Sequence, residues 1–400
     1  MHNLQTNNDY TKDIVLIGFI ALAITMGIGR FAFTPLMPLM LRDGIIDQTI
    51  GTEWAASNYF GYLIGALTAS TFRQNPPKGL KIGLSGVAFT TLLLAWSHIL
   101  PMWFGALLRG SAGIFSAWVM VCVSAWCLPV LAARRLATLG GWIYMGVGVG
   151  ISSVGVITWL GGNQSANTLW LELGTIATAG VVYIIYSIGR PVLQNSILRP
   201  TFTGNHAQET ATNVATTSRG LIISYAISGF GYIIPATFLP VMAKNLISDP
   251  LIFGMVWPIF GAAAALSVAF VVAGVKQLPK MRIWAVAQAL MAIGTLLPLL
   301  HTSLGVLAVS AFLVGGTFMV ATTIGLQIGR EMMPKNPTSL LAKMTAGFAA
   351  GQITGPVFVR MISNYQIAGQ NGISIASLLA TVALIITAIW LWQNDKTSGI

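Results

Sequence analysis

Gly27-Ile28-Gly29-Arg30-Phe31, followed by Ala32-Phe33-Thr34-Pro35-Leu36-Met37-Pro38, places an arginine among glycines and prolines inside a hydrophobic run from Ile14 to Met40 that is otherwise uncharged. A run of this length is what a helix needs to cross the ~30 Å hydrocarbon core of a bilayer. A charge near the middle of such a span costs roughly 2.5–3.5 kcal/mol on insertion scales, and it faces a cavity or a partner. Two readings follow: the run is a membrane span, and Arg30 has a task that justifies its cost.

The rest of the chain agrees with a membrane setting. Charged residues make up 8% of the 400 and hydrophobic residues 55%, with a mean hydropathy of +0.77, where a soluble chain carries about 25% charged residues. Long apolar runs recur from end to end, which predicts helices rather than the short alternating strands of a membrane barrel. The first run is too long for the apolar core of a signal peptide and has no small-residue cleavage site behind it, so it reads as the first span. The net charge of +11 lies in short loops rather than in one polar patch, and no nucleic-acid partner is expected. Cys122 and Cys127 share one apolar run at a spacing that points them to different helix faces, and they read as core residues rather than a disulfide or metal site.

The expected spans are 14–40, 52–72, 80–97, 101–127, 136–160 and 169–188, then 219–243, 251–273, 281–300, 303–329, 338–362 and 372–392. With the N-terminus inside, one face holds Lys12, Arg73, Lys78, Lys81, Arg134, Arg135, Arg190, Arg199, Arg219, Lys276, Lys280, Arg282, Arg330, Lys335, Lys343 and Lys396, and the other only Arg42, Lys244 and Arg360. Cytoplasmic loops carry the Lys and Arg excess, so both termini are expected in the cytoplasm.

The two groups of six also repeat one another. A shift of 202 lays Gly27, Gly29, Pro38 and Met40 on Gly229, Gly231, Pro240 and Met242, and Phe60-Gly61 falls similarly on Phe260-Gly261. Gly146 and Gly150 match Gly351 and Gly355 at a shift of 205. Transporters are commonly built from such repeats, with the solute site near the midplane.

Over essentially its full length the chain resembles the major facilitator superfamily. Gly27 to Phe31, with Pro35 and Pro38, is similar to the signature of its YbfB/YjiJ-like branch of bacterial proteins. The resemblance implies an all-α integral membrane protein of twelve transmembrane helices in two six-helix halves. Residues 1–188 would form the N-terminal bundle, 189–218 a cytoplasmic linker and 219–400 the C-terminal bundle. It also implies a multi-pass protein of the bacterial inner membrane whose central cavity opens alternately to each side. Arg109-Gly110-Ser111-Ala112-Gly113, continuing to Ser116, resembles the superfamily's arginine motif, linked in that family to proton coupling, with Ala112 in place of its glutamine. The loop after the second span has Ala69 where the superfamily has an aspartate, and Gly146 to Ile151 lacks the proline of the antiporter motif.

Arg30 lies about 16 residues into its span and Arg109 about eight from the opposite end, roughly 24 and 12 Å of helical rise, so the two sit at similar depth. A guanidinium stays charged and offers a planar fork that fits a carboxylate or phosphate. Both are therefore expected to bind an anionic substrate, with Tyr232, Asn58, Tyr59, Trp118, Tyr144 and Gln352 as further binding candidates. Tyr62, Trp142 and Tyr225 belong to the same wider set. Tyr232 stands at the repeat position of Arg30. The bland alternatives are that Arg109 snorkels to the outer surface, or that Arg30 bonds carbonyls freed near Pro35.

No Asp, Glu or His occurs at mid-span depth. Proton coupling, if present, would use Arg109 with Glu172 or Glu53. The sequence shows no nucleophile–base spacing, nucleotide-binding glycine loop or metal cluster, so neither an enzyme nor a bound cofactor is expected. The expected partners are a small-molecule substrate, a proton and the lipid bilayer, with the protein a monomer. Two competing functions are efflux of neutral or amphipathic compounds and a membrane sensor of the same fold that transports nothing.

Overall fold

The computed structural model describes residues 2–190, 212–247, 249–274, 279–332, 337–362 and 372–395. Most of the linker (191–211) lies outside the described residues, as do Arg199, His206, Lys276, Lys335 and Lys396. Among the described residues all regular structure is helical, in twelve long helices. The first, α1, has three consecutive parts: an α-helix His2–Leu22, a π-helix Ala23–Phe31 and an α-helix Phe33–Arg42. It is followed by α2 (Gln48–Thr68), α3 (Pro76–Leu94), α4 (Met102–Ala133), α5 (Gly140–Leu160) and α6 (Ala166–Ile188). The second set is α7 (Thr212–Leu246), α8 (Val256–Gly274), α9 (Lys280–Leu300), α10 (Leu304–Met332), α11 (Pro337–Ile362) and α12 (Gly372–Asn394).

Local chemistry sets the turns. The first helix ends at Asp43, and Gly44 takes the left-handed conformation (φ 69°) that turns the chain toward α2. Asp47, Asn75 and Ser165 cap α2, α3 and α6, each side chain accepting from an N–H three residues on. Eight helices, α1, α4, α5, α6, α7, α9, α10 and α12, are long and apolar enough to cross a membrane. Of the other four, α2, α3 and α11 carry polar groups such as Asn58, Lys78, Lys81 and Gln352 within their length.

The chain divides into two compact units, Met1–Phe202 and Thr203–Ile400. Within the first, α1 lies along α5, α2 along α4, and α3 along both α4 and α6. Within the second, α7 lies along α11, α8 along α10, and α9 along both α10 and α12. The internal pairing is thus the same in both, as a sequence repeat requires.

The repeated glycines mark where these pairs approach most closely. A Cβ on Gly27 would lie 2.5 Å from the carbonyl carbon of Gly150, so α1 and α5 meet backbone to backbone. Gly351 of α11 meets the main chain of Ala226 and Phe230 in α7 in the same manner. By contrast, the nearest atom to a Cβ on Gly110 is 3.5 Å away. Gly27→Ala is therefore expected to cost about 1–3 kcal/mol through overpacking, seen as a lower Tm in detergent, while Gly110→Ala leaves Tm unchanged or slightly raised. Equal Tm values for the two variants would refute the close approach. Cys122 and Cys127 are both buried in α4 and form no disulfide.

Candidate functional site

The motif stretch is wound as a π-helix of nine residues, Ala23–Phe31, ending at Arg30-Phe31. Such segments are rare and recur at functional sites, because the wider turn leaves carbonyls poorly served by the main chain. Several local features favour it. The Thr25 hydroxyl donates to the Ala21 carbonyl (2.7 Å) and competes with the main chain there. Gly27 and Gly29 weaken the α-helix, and Pro35 has no N–H to offer the Phe31 carbonyl.

Side chains of neighbouring helices donate to the carbonyls of this segment. Ser116 Oγ of α4 donates to the Thr25 carbonyl at 3.0 Å. Arg109, also on α4, donates from Nη1 to the Gly29 carbonyl and from Nη2 to the Arg30 carbonyl, each at 3.0 Å. Asn58 Nδ2 of α2 donates to the Arg109 carbonyl at 2.8 Å and reaches the Gly29 carbonyl at 3.4 Å. Gly29 must be small here, since a Cβ would lie 2.8 Å from Ser116 Oγ. The guanidinium of Arg109 also lies over the Phe33 ring, 4.9 Å from its centroid.

This geometry revises one of the bland readings. Arg109 turns inward, 2% exposed, instead of snorkelling. Arg109 bonds two carbonyls of α1, those of Gly29 and Arg30. Arg30 itself is 3% exposed, with its guanidinium carbon 3.9 Å from the ring centroid of Tyr62, 5.4 Å from Phe31 and 5.6 Å from Tyr59. Rings at these distances attract a cation through their quadrupoles, by about 0.5–2 kcal/mol each.

The structure therefore brings Arg30, Arg109, Asn58 and Tyr59 into one cluster, together with Tyr62 and Ser116. Tyr62, one of the wider set of candidates, lies four residues after Asn58 on the same helix face. Trp118 and Tyr144 are engaged elsewhere: Trp118 Nε1 donates to Thr68 Oγ1 (2.9 Å) between the rings of Phe72 and Phe115, and the Tyr144 hydroxyl bonds Ser124 Oγ (2.8 Å). Glu53 is exposed on α2 and Glu172 half-buried on α6, and among the described residues neither forms an ion pair with Arg109.

In the second unit, Gln352 Nε2 donates to the Tyr232 hydroxyl. The Tyr232 ring is stacked between Phe318 (4.9 Å) and Phe348 (5.5 Å). The α7 helix shows no π segment around Tyr232. Winding and arginine thus distinguish α1 from its repeat.

Twelve long helices among the described residues, with one pairing pattern used twice, are those of a multi-pass membrane protein with the transporter fold of the major facilitator superfamily. Residues 22–391 match the family described as "Uncharacterised MFS-type transporter YbfB", and the chain belongs to that family. Membership places it among secondary transporters. Among solved structures, a D-xylose-proton symporter is similar with a TM-score of 0.74 at 12% identity, covering 96% of this chain and 98% of that one. A mutant of the nucleoside transporter NupG is similar with a TM-score of 0.65 at 14% identity, covering 95% and 99%. Both likenesses concern the fold. No curated protein sequence matches the chain.

Proposed function

We propose that the protein moves a small organic anion across the bacterial inner membrane by alternating access, as a monomer with both termini cytoplasmic. The observation that carries this reading is Arg30: a permanently charged group, 3% exposed, two-thirds of the way along a span and set among three aromatic rings. A guanidinium stays charged, and its planar fork suits a carboxylate or phosphate. Arg109 places a second cation against the same stretch of backbone. Two like charges held close raise each other's energy, and an anion bound between or beside them lowers it.

Arg109 acts in this reading chiefly as the residue that positions Arg30. In the second unit Tyr232 and Gln352 are the proposed solute contacts. The loop charges, sixteen basic residues against three, support the orientation. Glu172 and Glu53 are the carboxyls available for proton coupling. A stepped pH gradient across liposomes should change the transport rate, and an unchanged rate would remove coupling from the proposal.

The test of function is thermal stabilisation of the purified protein across carboxylates, phosphates, amino acids, and neutral solutes including D-xylose, a nucleoside and amphipathic drugs. Stabilisation confined to anions is the expected result. Stabilisation by neutral or amphipathic compounds alone would favour the efflux reading, with both arginines structural.

A further inference from the structure

The turn between α4 and α5 holds a backbone conformation that its residue does not favour. Arg135 has φ 60°, the one positive φ at a non-glycine residue among the described residues. Its N–H donates to the Ala132 carbonyl and the Leu136 N–H to the Leu131 carbonyl, each at 2.9 Å, the closure that ends many helices on a left-handed residue. Glycine is the usual occupant, because a Cβ is crowded in this conformation. A large cation kept there at a cost is a reason to look for a task that glycine could not perform.

The surroundings are basic and apolar. Arg134 Nη1 donates to Thr11 Oγ1 at 2.9 Å, which joins the end of α4 to α1 one residue before Lys12. Lys12 and Arg135 are exposed, and among the described residues neither forms an ion pair. Asp13, the carboxylate next to Lys12, is engaged by Arg190 at 3.6 Å. Leu136, beside Arg135 in the turn, and Trp142, near the start of α5, are exposed as well. A Cβ on Gly18 would lie 2.9 Å from Ile143 Cγ2, so Trp142 stands at about the level of Gly18 in α1. Lys12 is six residues nearer the start of that helix, roughly 9 Å of rise. Cations thus stand at the helix ends with an exposed indole deeper in the span, the order in which a phospholipid presents headgroup and apolar chain.

We propose that Arg135, with Lys12 and Arg134 adding charge, binds the phosphate of an anionic phospholipid headgroup at the end of α4. The inference does not depend on the transported solute. In the orientation proposed above this is the cytoplasmic leaflet, where basic groups beside membrane helices meet anionic lipid. Arginine offers phosphate a charged fork, which glycine at the same position could not. A soluble phosphate would meet the same cations and leave Leu136 and Trp142 bare, whereas a lipid covers them with its acyl chains.

The test measures Tm of the purified full chain in neutral detergent with phosphatidylglycerol, phosphatidylcholine or inorganic phosphate added. Phosphatidylglycerol should raise Tm beyond phosphatidylcholine, and inorganic phosphate should leave it unchanged. Without lipid, Arg135→Gly should melt about 1–3 °C above the wild type, since glycine relieves the left-handed residue. The same variant, and Arg135→Gln, should lose most of the extra shift that phosphatidylglycerol gives. Arg73→Gln removes an exposed cation from the turn between α2 and α3 and should keep that shift. Each shift is a difference within one variant, so a change in that variant's own stability cancels. Equal shifts with the two lipids overturn the proposal, and so does an undiminished phosphatidylglycerol shift in Arg135→Gln. An equal loss in Arg73→Gln would show diffuse attraction rather than a site, and an equal shift with inorganic phosphate would show a soluble-anion site; either refutes it. A lower Tm of Arg135→Gly without lipid would mean that the protein's own groups hold the arginine, which is equally fatal.

Discussion

Arg109→Ala is expected to lower stability by about 3–6 kcal/mol, a large share of the 5–15 kcal/mol typical of a folded domain. The figure comes from two hydrogen bonds to a charged donor, each about 1.5–3 kcal/mol, made to the Gly29 and Arg30 carbonyls. Removing a buried cation also relieves its desolvation, but here the change removes a charged donor from the Gly29 and Arg30 carbonyls inside a bundle. Arg109→Met fills the volume without restoring a donor, so it should be nearly as damaging. Arg109→Lys keeps a charge that can serve one carbonyl, and should fall between. The measurement is Tm in detergent without ligand. A wild-type Tm in Arg109→Ala would mean that Arg109 does not hold the segment.

Arg30→Ala should act chiefly on ligand affinity. Truncation removes a buried charge that is costly to keep, along with the contacts to three ring faces. Losing one partner of a desolvated, hydrogen-bonded charge pair costs about 2–5 kcal/mol in binding, so affinity for the best anion should fall about thirtyfold or more. Arg30→Lys should remain at least about tenfold weaker than wild type, because an ammonium lacks the planar fork and the flat face that lies against Tyr62. Full rescue by lysine would show that charge alone matters at this position.

Much of the fold was legible because hydropathy and glycine spacing are local signals. Twelve apolar runs became twelve helices, and Gly27, Gly150 and Gly351 lie where backbones touch. Helix ends were less legible. The fourth helix continues through Pro129 to Ala133, beyond the predicted 127, and the seventh begins at Thr212 in a polar segment with no apolar periodicity, earlier than the predicted 219.

The site was legible only in part. Depth along the spans placed Arg30 and Arg109 together, and the helical face of α2 brought Asn58 and Tyr59 to them. The division of labour between the arginines was hidden, because it depends on which carbonyls the π winding exposes. No pattern of residue types announces a π segment, and the glycines and Pro35 are equally compatible with an α-helix bent at that point. Trp118 and Tyr144 were named from depth and residue type, but their polar atoms are committed to Thr68 and Ser124.

The central claim is that Arg30 binds the transported anion. Its most direct test is counterflow of the best-binding anion in proteoliposomes holding equal amounts of folded wild-type or Arg30→Ala protein. The account predicts accumulation of labelled anion with the wild type and none above empty liposomes with Arg30→Ala. Equal accumulation by both would contradict it.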